Sequence, residues 1–232
     1  MSFDGGGHTE LASRGGIRIV SLMQTPLCSN CHILWNEEGD CVVADPGGDI
    51  EQITNELSRR SLKPSMILDT HGHVDHTGAN AALRRATGAP ILIHRIDSFM
   101  LGSEIFSGAA WTGLLPYETH EADTLLDDGA RVSCGTMNFQ VMHVPGHSPG
   151  SILYYEEKAG IVIGGDLVFQ DSVGRYDLPG GNAAQLINSI IAVFLALPDD
   201  TLVLTGHGAE TTVGRERAMN PFIRQYLQAA RG

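Results

Sequence analysis

Long apolar runs are missing from this 232-residue chain. No stretch approaches the ~20 residues that a membrane-spanning helix needs. Basic blocks are missing too: 15 Lys and Arg stand against 27 Asp and Glu, a formal net charge of −12. A nucleic-acid partner needs a basic surface to meet its phosphates, so the balance speaks against one. Residues 1–16 carry Gly5-Gly6-Gly7 and polar side chains but nothing like the apolar centre of a secretory signal. They are expected to form a disordered tail, leaving 17–232 as one catalytic domain. The expected location is the cytoplasm, with no membrane partner. Cysteine is sparse, and Cys28, Cys31, Cys41 and Cys134 are then expected to be reduced thiols. Cys28-Ser29-Asn30-Cys31 has redox-pair spacing but does not sit at a strand-to-helix turn, where such a pair belongs. It reads as small residues opening a strand.

Histidine is concentrated. His71-Gly72-His73-Val74-Asp75-His76 places three imidazoles and a carboxylate within six residues. The segment follows the apolar run Met66-Ile67-Leu68 and precedes a helix expected over 77–87. Neutral imidazole and ionised carboxylate are ligands that Zn²⁺ and Fe²⁺ accept. One loop cannot close a metal site, and partners stand at the ends of three later apolar runs. His147 follows Phe139-Gln140-Val141-Met142, Asp166 follows Ile161-Val162-Ile163, and His207 follows Leu202-Val203-Leu204. Gly lies close to each, so the backbone can turn tightly near a buried centre.

His-x-His-x-Asp-His, followed by His, Asp and His at later strand ends, resembles the metallo-β-lactamase superfamily from about Ile17 to about Arg224. The resemblance implies two divalent metal ions, zinc first and iron or manganese as alternatives. His71, His73 and His147 would hold one, Asp75, His76 and His207 the other, with Asp166 bridging. Asp75 and Asp166 would be the catalytic carboxylates. Two divalent ions outweigh the two carboxylates and one hydroxide, and coordination brings the pKa of bound water to about 7. The implied function is a hydrolase working through metal-bound hydroxide.

Gly174-Arg175-Tyr176-Asp177-Leu178-Pro179-Gly180-Gly181 resembles both the short type II glyoxalases and the persulfide dioxygenases, and Thr212-Val213-Gly214-Arg215-Glu216-Arg217 with Asn220-Pro221-Phe222 resembles the type II glyoxalases. So does Asn30-Cys31-His32-Ile33-Leu34. This implies a small-molecule partner, a glutathione-derived thioester such as S-lactoylglutathione, with Arg175 binding the substrate. Asp166 as bridging ligand is, by the same resemblance, a mark against β-lactam cleavage. The rival is a persulfide dioxygenase with one iron on His71, His147 and Asp166. Lactone or phosphodiester hydrolysis and a structural metal site are weaker readings, since a structural zinc is closed by four ligands. His94, His120 and His143 are read as packing or hydrogen-bonding residues.

Strands are expected at 17–23, 32–35, 41–44, 66–69, 91–93, 131–134, 138–143, 151–155, 161–164 and 202–204. Helices are expected from an Asp49 cap to Arg60, and at 77–87, 183–197 and 221–230. Residues 94–130 are aperiodic, with Phe99, Phe106, Trp111 and Tyr117 able to wall one side of a site. The pattern supports α plus β with antiparallel hairpins. The resemblance implies an α/β four-layer αββα sandwich.

Overall fold

A computed structural model describes residues 8–229. Seven strands form the first sheet in sequence order: β1 (His8–Arg14), β2 (Ile17–Gln24), β3 (Ser29–Trp35), β4 (Asp40–Ala44), β5 (Lys63–Leu68), β6 (Ile91–His94) and β7 (Thr124–Leu126). Six form the second: β8 (Arg131–Cys134), β9 (Met137–His143), β10 (Ile152–Glu156), β11 (Ile161–Gly165), and, after the small hairpin β12 (Val168–Phe169) and β13 (Ser172–Val173), β14 (Leu202–Thr205) and β15 (Thr211–Thr212). The second sheet runs β15-β14-β11-β10-β9-β8. Helices are α1 (Ile50–Arg59), α2 (Val74–Thr77), α3 (Asn80–Thr87), α4 (Ser98–Leu101), α5 (Ala109–Thr112), α6 (Ala183–Ala192), α7 (Val213–Met219) and α8 (Pro221–Ala229).

Side-chain alternation along central strands builds the layers. On β3, Leu34 points into a core shared by both sheets, where Phe139, Tyr154 and Ile163 meet it. Its neighbours Ile33 and Trp35 point outward, against Ile53 and Leu57 of α1 and Leu83 of α3. On β11, Ile161 and Ile163 face the shared core while Val162 faces Leu186 and Ile190 of α6. Both faces of each central strand are therefore covered, and the four-layer αββα sandwich follows. No helix among the described residues is long and apolar enough to cross a membrane.

Most expected elements form within two or three residues of their expected bounds. Asp49 caps α1 as expected, its side chain accepting from Gln52 N. The expected tail is corrected in part. Residues 8–14 pair antiparallel with β2, and residues 1–7 lie outside those described. An edge strand needs one row of backbone hydrogen bonds and little apolar content. Leu11 packs on the shared core, while Glu10 reaches Arg60 and Arg14 reaches Ala159 O. The expected helix 77–87 is split, because Ala79 N donates to Pro46 O and ties the chain to the β4 loop. Helix 183–197 ends at Ala192 and finishes as a 3₁₀ turn over Phe194–Ala196.

Candidate metal centre

Four strands end at the same rim. β5 runs into the His71–His76 segment, β9 into the turn holding His147, β11 into Asp166 and β14 into His207. The two sheets are pinned together there by β3. Asn30 N donates to Gly206 O at 2.7 Å, and its side-chain amide donates to Thr205 O at 2.9 Å. His32, a buried strand residue between Ser21 Oγ and Thr205 O, adds a further tie. The backbone passes so close to the centre that a Cβ on Gly206 would collide with Asp166 Oδ1.

The seven side chains expected as ligands converge in overlapping groups. His71, His73 and His147 form one; Asp75, His76 and His207 form another; His71, His76 and Asp166 join them. His147 Nε2 lies 2.9 Å from His73 Nδ1 and 3.2 Å from His71 Nε2. His207 Nε2 lies 3.2 Å from Asp75 Oδ2. Asp166 stands between the groups, with Oδ1 3.4 Å from His76 Nε2 and Oδ2 3.5 Å from His147 Nε2.

This donor set fits metal ions. His76 Nε2 and Asp166 Oδ1 are buried without a hydrogen-bond partner among the described residues, a costly state that a cation relieves. Three imidazoles brought this close face one another with lone pairs and at most a few protons, and a shared cation turns that repulsion into coordination. Burial and the neighbouring imidazoles hold His71 well below the usual histidine range, and burial with His147 pushes His73 down to about 3. Both are neutral imidazoles at pH 7, the form that can donate to a metal. Burial lowers His76 as well, but Asp166, Asp75 and Asp45 outweigh it and hold that imidazole up at about 10. Burial raises Asp75, yet His76 and His207 outweigh it and keep the carboxyl well below its ordinary range.

Residues outside the expected set aim the ligands. Asp45, fully buried, accepts from His76 Nδ1 at 3.1 Å and from Thr70 Oγ1 at 2.7 Å, and Thr70 Oγ1 meets His71 Nδ1 at 3.1 Å. One carboxylate thus orients a ligand of each group. Asp45 holds a left-handed backbone, φ 51°, a strain that persists where surroundings impose it. Asp97 ties the first ligand loop to the His147 turn, accepting from Gly72 N, Ser148 Oγ and Gly150 N. His147 Nδ1 meets Arg175 O at 2.8 Å and His207 Nδ1 meets Cys28 O at 3.1 Å. In the sequence Asp45 simply opens Asp45-Pro46-Gly47-Gly48, a turn-forming stretch. Its one signal is an acid directly after the buried run 41–44.

Arg175 borders the cavity over the ligands, but its guanidinium is engaged by Asp177 through two bonds, 2.7 and 2.8 Å. His94 and His143 stack at 4.4 Å, and His143 Nε2 meets Pro149 O. His120 Nδ1 meets Glu118 O. In the aperiodic segment, Trp111 borders the cavity, Tyr117 packs on Val74, and Phe99 and Phe106 contact each other.

The sequence model of the Metallo-beta-lactamase superfamily matches residues 25–207. The chain is 36% identical to the probable metallo-hydrolase YqgX of Bacillus subtilis, over 85% of this chain and 93% of that protein. It is 33% identical to the hydroxyacylglutathione hydrolase GloC of Haemophilus influenzae, over 86% and 94%. Among solved structures, the BLEG-1 B3 metallo-beta-lactamase matches with TM-score 0.86 and 39% identity, covering 88% of this chain and 99% of that one. TTHA1623 in a di-iron-bound form matches with TM-score 0.78 and 37% identity, over 87% and 98%. ETHE1 from Myxococcus xanthus matches with TM-score 0.72 and 28% identity, over 88% and 84%. Sandwich, convergent ligands and matches agree, and the chain belongs to the metallo-beta-lactamase superfamily.

Proposed function

We propose that the protein is a metal-dependent hydrolase that cleaves thioesters, with S-lactoylglutathione or a related hydroxyacylglutathione as the reference substrate. The observation that carries the two-metal form of this reading is the second ligand group. Asp75, His76 and His207 converge beside His71, His73 and His147, with Asp166 reaching both. The likeness to GloC supports the thioester.

When bound, the metals supply an ionised water at neutral pH and positive charge for the developing oxyanion. The side chains do the rest. His71, His73 and His147 would hold one ion, and Asp75, His76 and His207 the other. Asp75, kept ionised, accepts a hydrogen bond from the attacking water and orients it. Water adds to the acyl carbon and the carbon–sulfur bond breaks, so the acid and the thiol leave with the water's two hydrogens between them. A thiol with pKa near ~8.5 departs as thiolate without a strong general acid.

The test is elemental analysis of protein purified without added metal, paired with an assay of thiol release from S-lactoylglutathione. Two metal ions per chain and thiol release are expected. One iron per chain with O₂ consumption on glutathione persulfide would replace this reading. That second reading has its own support, since His71, His147 and Asp166 adjoin one another as a two-His, one-carboxylate set, and the chain is similar to ETHE1. The chain is also similar to the BLEG-1 B3 metallo-beta-lactamase. A chromogenic cephalosporin therefore belongs in the same assay.

A further inference from the structure

We propose that the cavity over the ligand cluster is an apolar-lined acyl slot, so that the preferred thioesters carry a branched aliphatic or aromatic acyl arm. This rests on the thioester reading above.

The cavity has a volume of about 380 Å³ and opens beside Asp75 and Asp166. Its apolar lining is Leu27, on the β2–β3 turn, Trp111, in α5, and Phe169, Val173 and Leu178. Leu27 is 38% exposed and Trp111 48%, so both spend apolar surface on an open concavity. Solvent-facing apolar groups around a concave site mark what the site receives.

The polar side chains that line it, ligands aside, are engaged or buried. Thr112 Oγ1 donates to Gly108 O at 2.7 Å, and Ser107, whose Oγ accepts from Ala109 N at 3.5 Å, is fully buried. Arg175 is the one cationic side chain besides the imidazoles among the described lining residues, and Asp177 holds it. A glutathionyl arm carries net negative charge and finds no free cation there. It lies along the solvent-facing rim, and the acyl arm takes the slot. Beyond its α-carbon, a polar acyl arm would trade water for a lining that offers no partner. An apolar arm gains contact with the apolar lining.

Part of this lining is tied to the segment that follows it. Hairpin β12–β13 carries Phe169 and Val173, and the segment from α7 clamps it. Arg215 grips both oxygens of Asp171 at 2.9 Å, Asp171 N donates to Glu216 Oε2 at 2.9 Å, and Asn220 Nδ2 donates to Ser172 O at 2.9 Å. Glu216 and Asn220 are fully buried. The Arg215-Glu216…Asn220 pattern thus sets part of the lining. Phe169 stands edge-on to His207, ring centres 5.8 Å apart, so the lining begins at the reacting position.

The test compares lactoyl and phenylacetyl thioesters, each on glutathione and on uncharged N-acetylcysteamine, with the metal-loaded protein. The phenylacetyl compounds are expected to exceed the lactoyl ones at least about tenfold in kcat/KM on either thiol, the scale that well-filled apolar pockets reach. Phe169→Ala should cut that ratio about tenfold. A lactoyl rate equal to or above the phenylacetyl rate overturns the slot and leaves thioester hydrolysis standing. Cleavage of no thioester overturns the hydrolase reading, and the slot then stands or falls on binding. In Trp35→Phe, Trp111 is the one remaining indole of the two, and its fluorescence reports binding without turnover. An S-phenethyl thioether of N-acetylcysteamine should bind about tenfold tighter than its S-hydroxypropyl analogue. Equal binding overturns the slot.

Discussion

The two halves of the sandwich supply the centre in opposite ways. The first sheet gives four of the seven candidate ligands from one loop, His71 to His76, and supports them with side chains: Asp45 behind His76 and Thr70, and Asp97 across to the His147 turn. The second sheet gives one ligand from each of three strand ends, and two of these rest on backbone carbonyls, Arg175 O for His147 and, from the first sheet's β2–β3 turn, Cys28 O for His207. A loop that crowds imidazoles needs a buried charge to aim them. Strand ends are already placed by the sheet, and a carbonyl suffices. The first half should therefore be sensitive to changes in supporting side chains, and the second to changes in the ligands themselves.

Asp166→Ala is the sharpest break on the second half, because Asp166 reaches both groups. Turnover should fall by about 10³-fold or more, the scale of losing a principal electrostatic stabiliser, and metal content should drop below two ions per chain. Circular dichroism should keep its native form, since Asp166 lies at a strand end outside the apolar clusters. Full activity with normal metal content would remove Asp166 from the centre. Asp45→Asn is the matching break on the first half. It preserves shape and removes charge, and should cost about 10–100-fold in metal affinity, as for other partners of metal-bound histidine. Competition with a chromophoric chelator measures it. No change would mean that the first loop aims its ligands without help.

Arg175→Ala tests the backbone side of the contrast. The carbonyl that holds His147 survives the substitution, and the guanidinium it removes is spent on Asp177, in a pair where both side chains are at least 60% exposed. KM for S-lactoylglutathione should move by less than about threefold, as an exposed pair allows. A tenfold rise with kcat held would return Arg175 to the substrate site, as the likeness to the glyoxalases implies.

The same contrast explains what could be read in advance. His71 to His76 are visible because their chemistry is contiguous. His147, Asp166 and His207 are visible because each follows an apolar run beside Gly. Asp45 is not, because a single acid opening Asp-Pro-Gly-Gly looks like any turn, and its role depends on where β4 lies beside β5. Leu27 and Trp111 come from segments with no period, so nothing local shows that they line one cavity. The strand β1 hides in a polar stretch because an edge strand is fixed by its neighbour's backbone, and β12–β13 is too short to alternate. Helix 77–87 reads as continuous because the bond that splits it, Ala79 N to Pro46 O, is made to a distant loop.

The smallest effect belongs to the outer edge of the first half. Glu10 on β1 pairs with Arg60 after α1, which also pairs with Glu56. The hydrogen bond from Arg60 lowers Glu10 below the usual carboxylate range. Burial raises Glu56, but Arg59 and Arg60 outweigh it and lower that carboxyl too. Acids lowered on folding stabilise the fold above their unfolded pKa, about 4.5, and that contribution is lost as pH falls through the folded values. Glu10→Gln should therefore cost less than about 1 kcal/mol at pH 7, as expected for a partly exposed pair, and the difference from the parent should close toward pH 3. Urea melts at both pH values read it. The second half ties its hairpin with buried Glu216, where Arg215 and Asn220 converge on one carboxylate, and Glu216→Ala should cost about 3 kcal/mol or more because it strands buried partners. If Glu10→Gln cost as much as Glu216→Ala, β1 would be part of the sandwich proper, and the first sheet would depend on side-chain charge at its rim as well as at its centre.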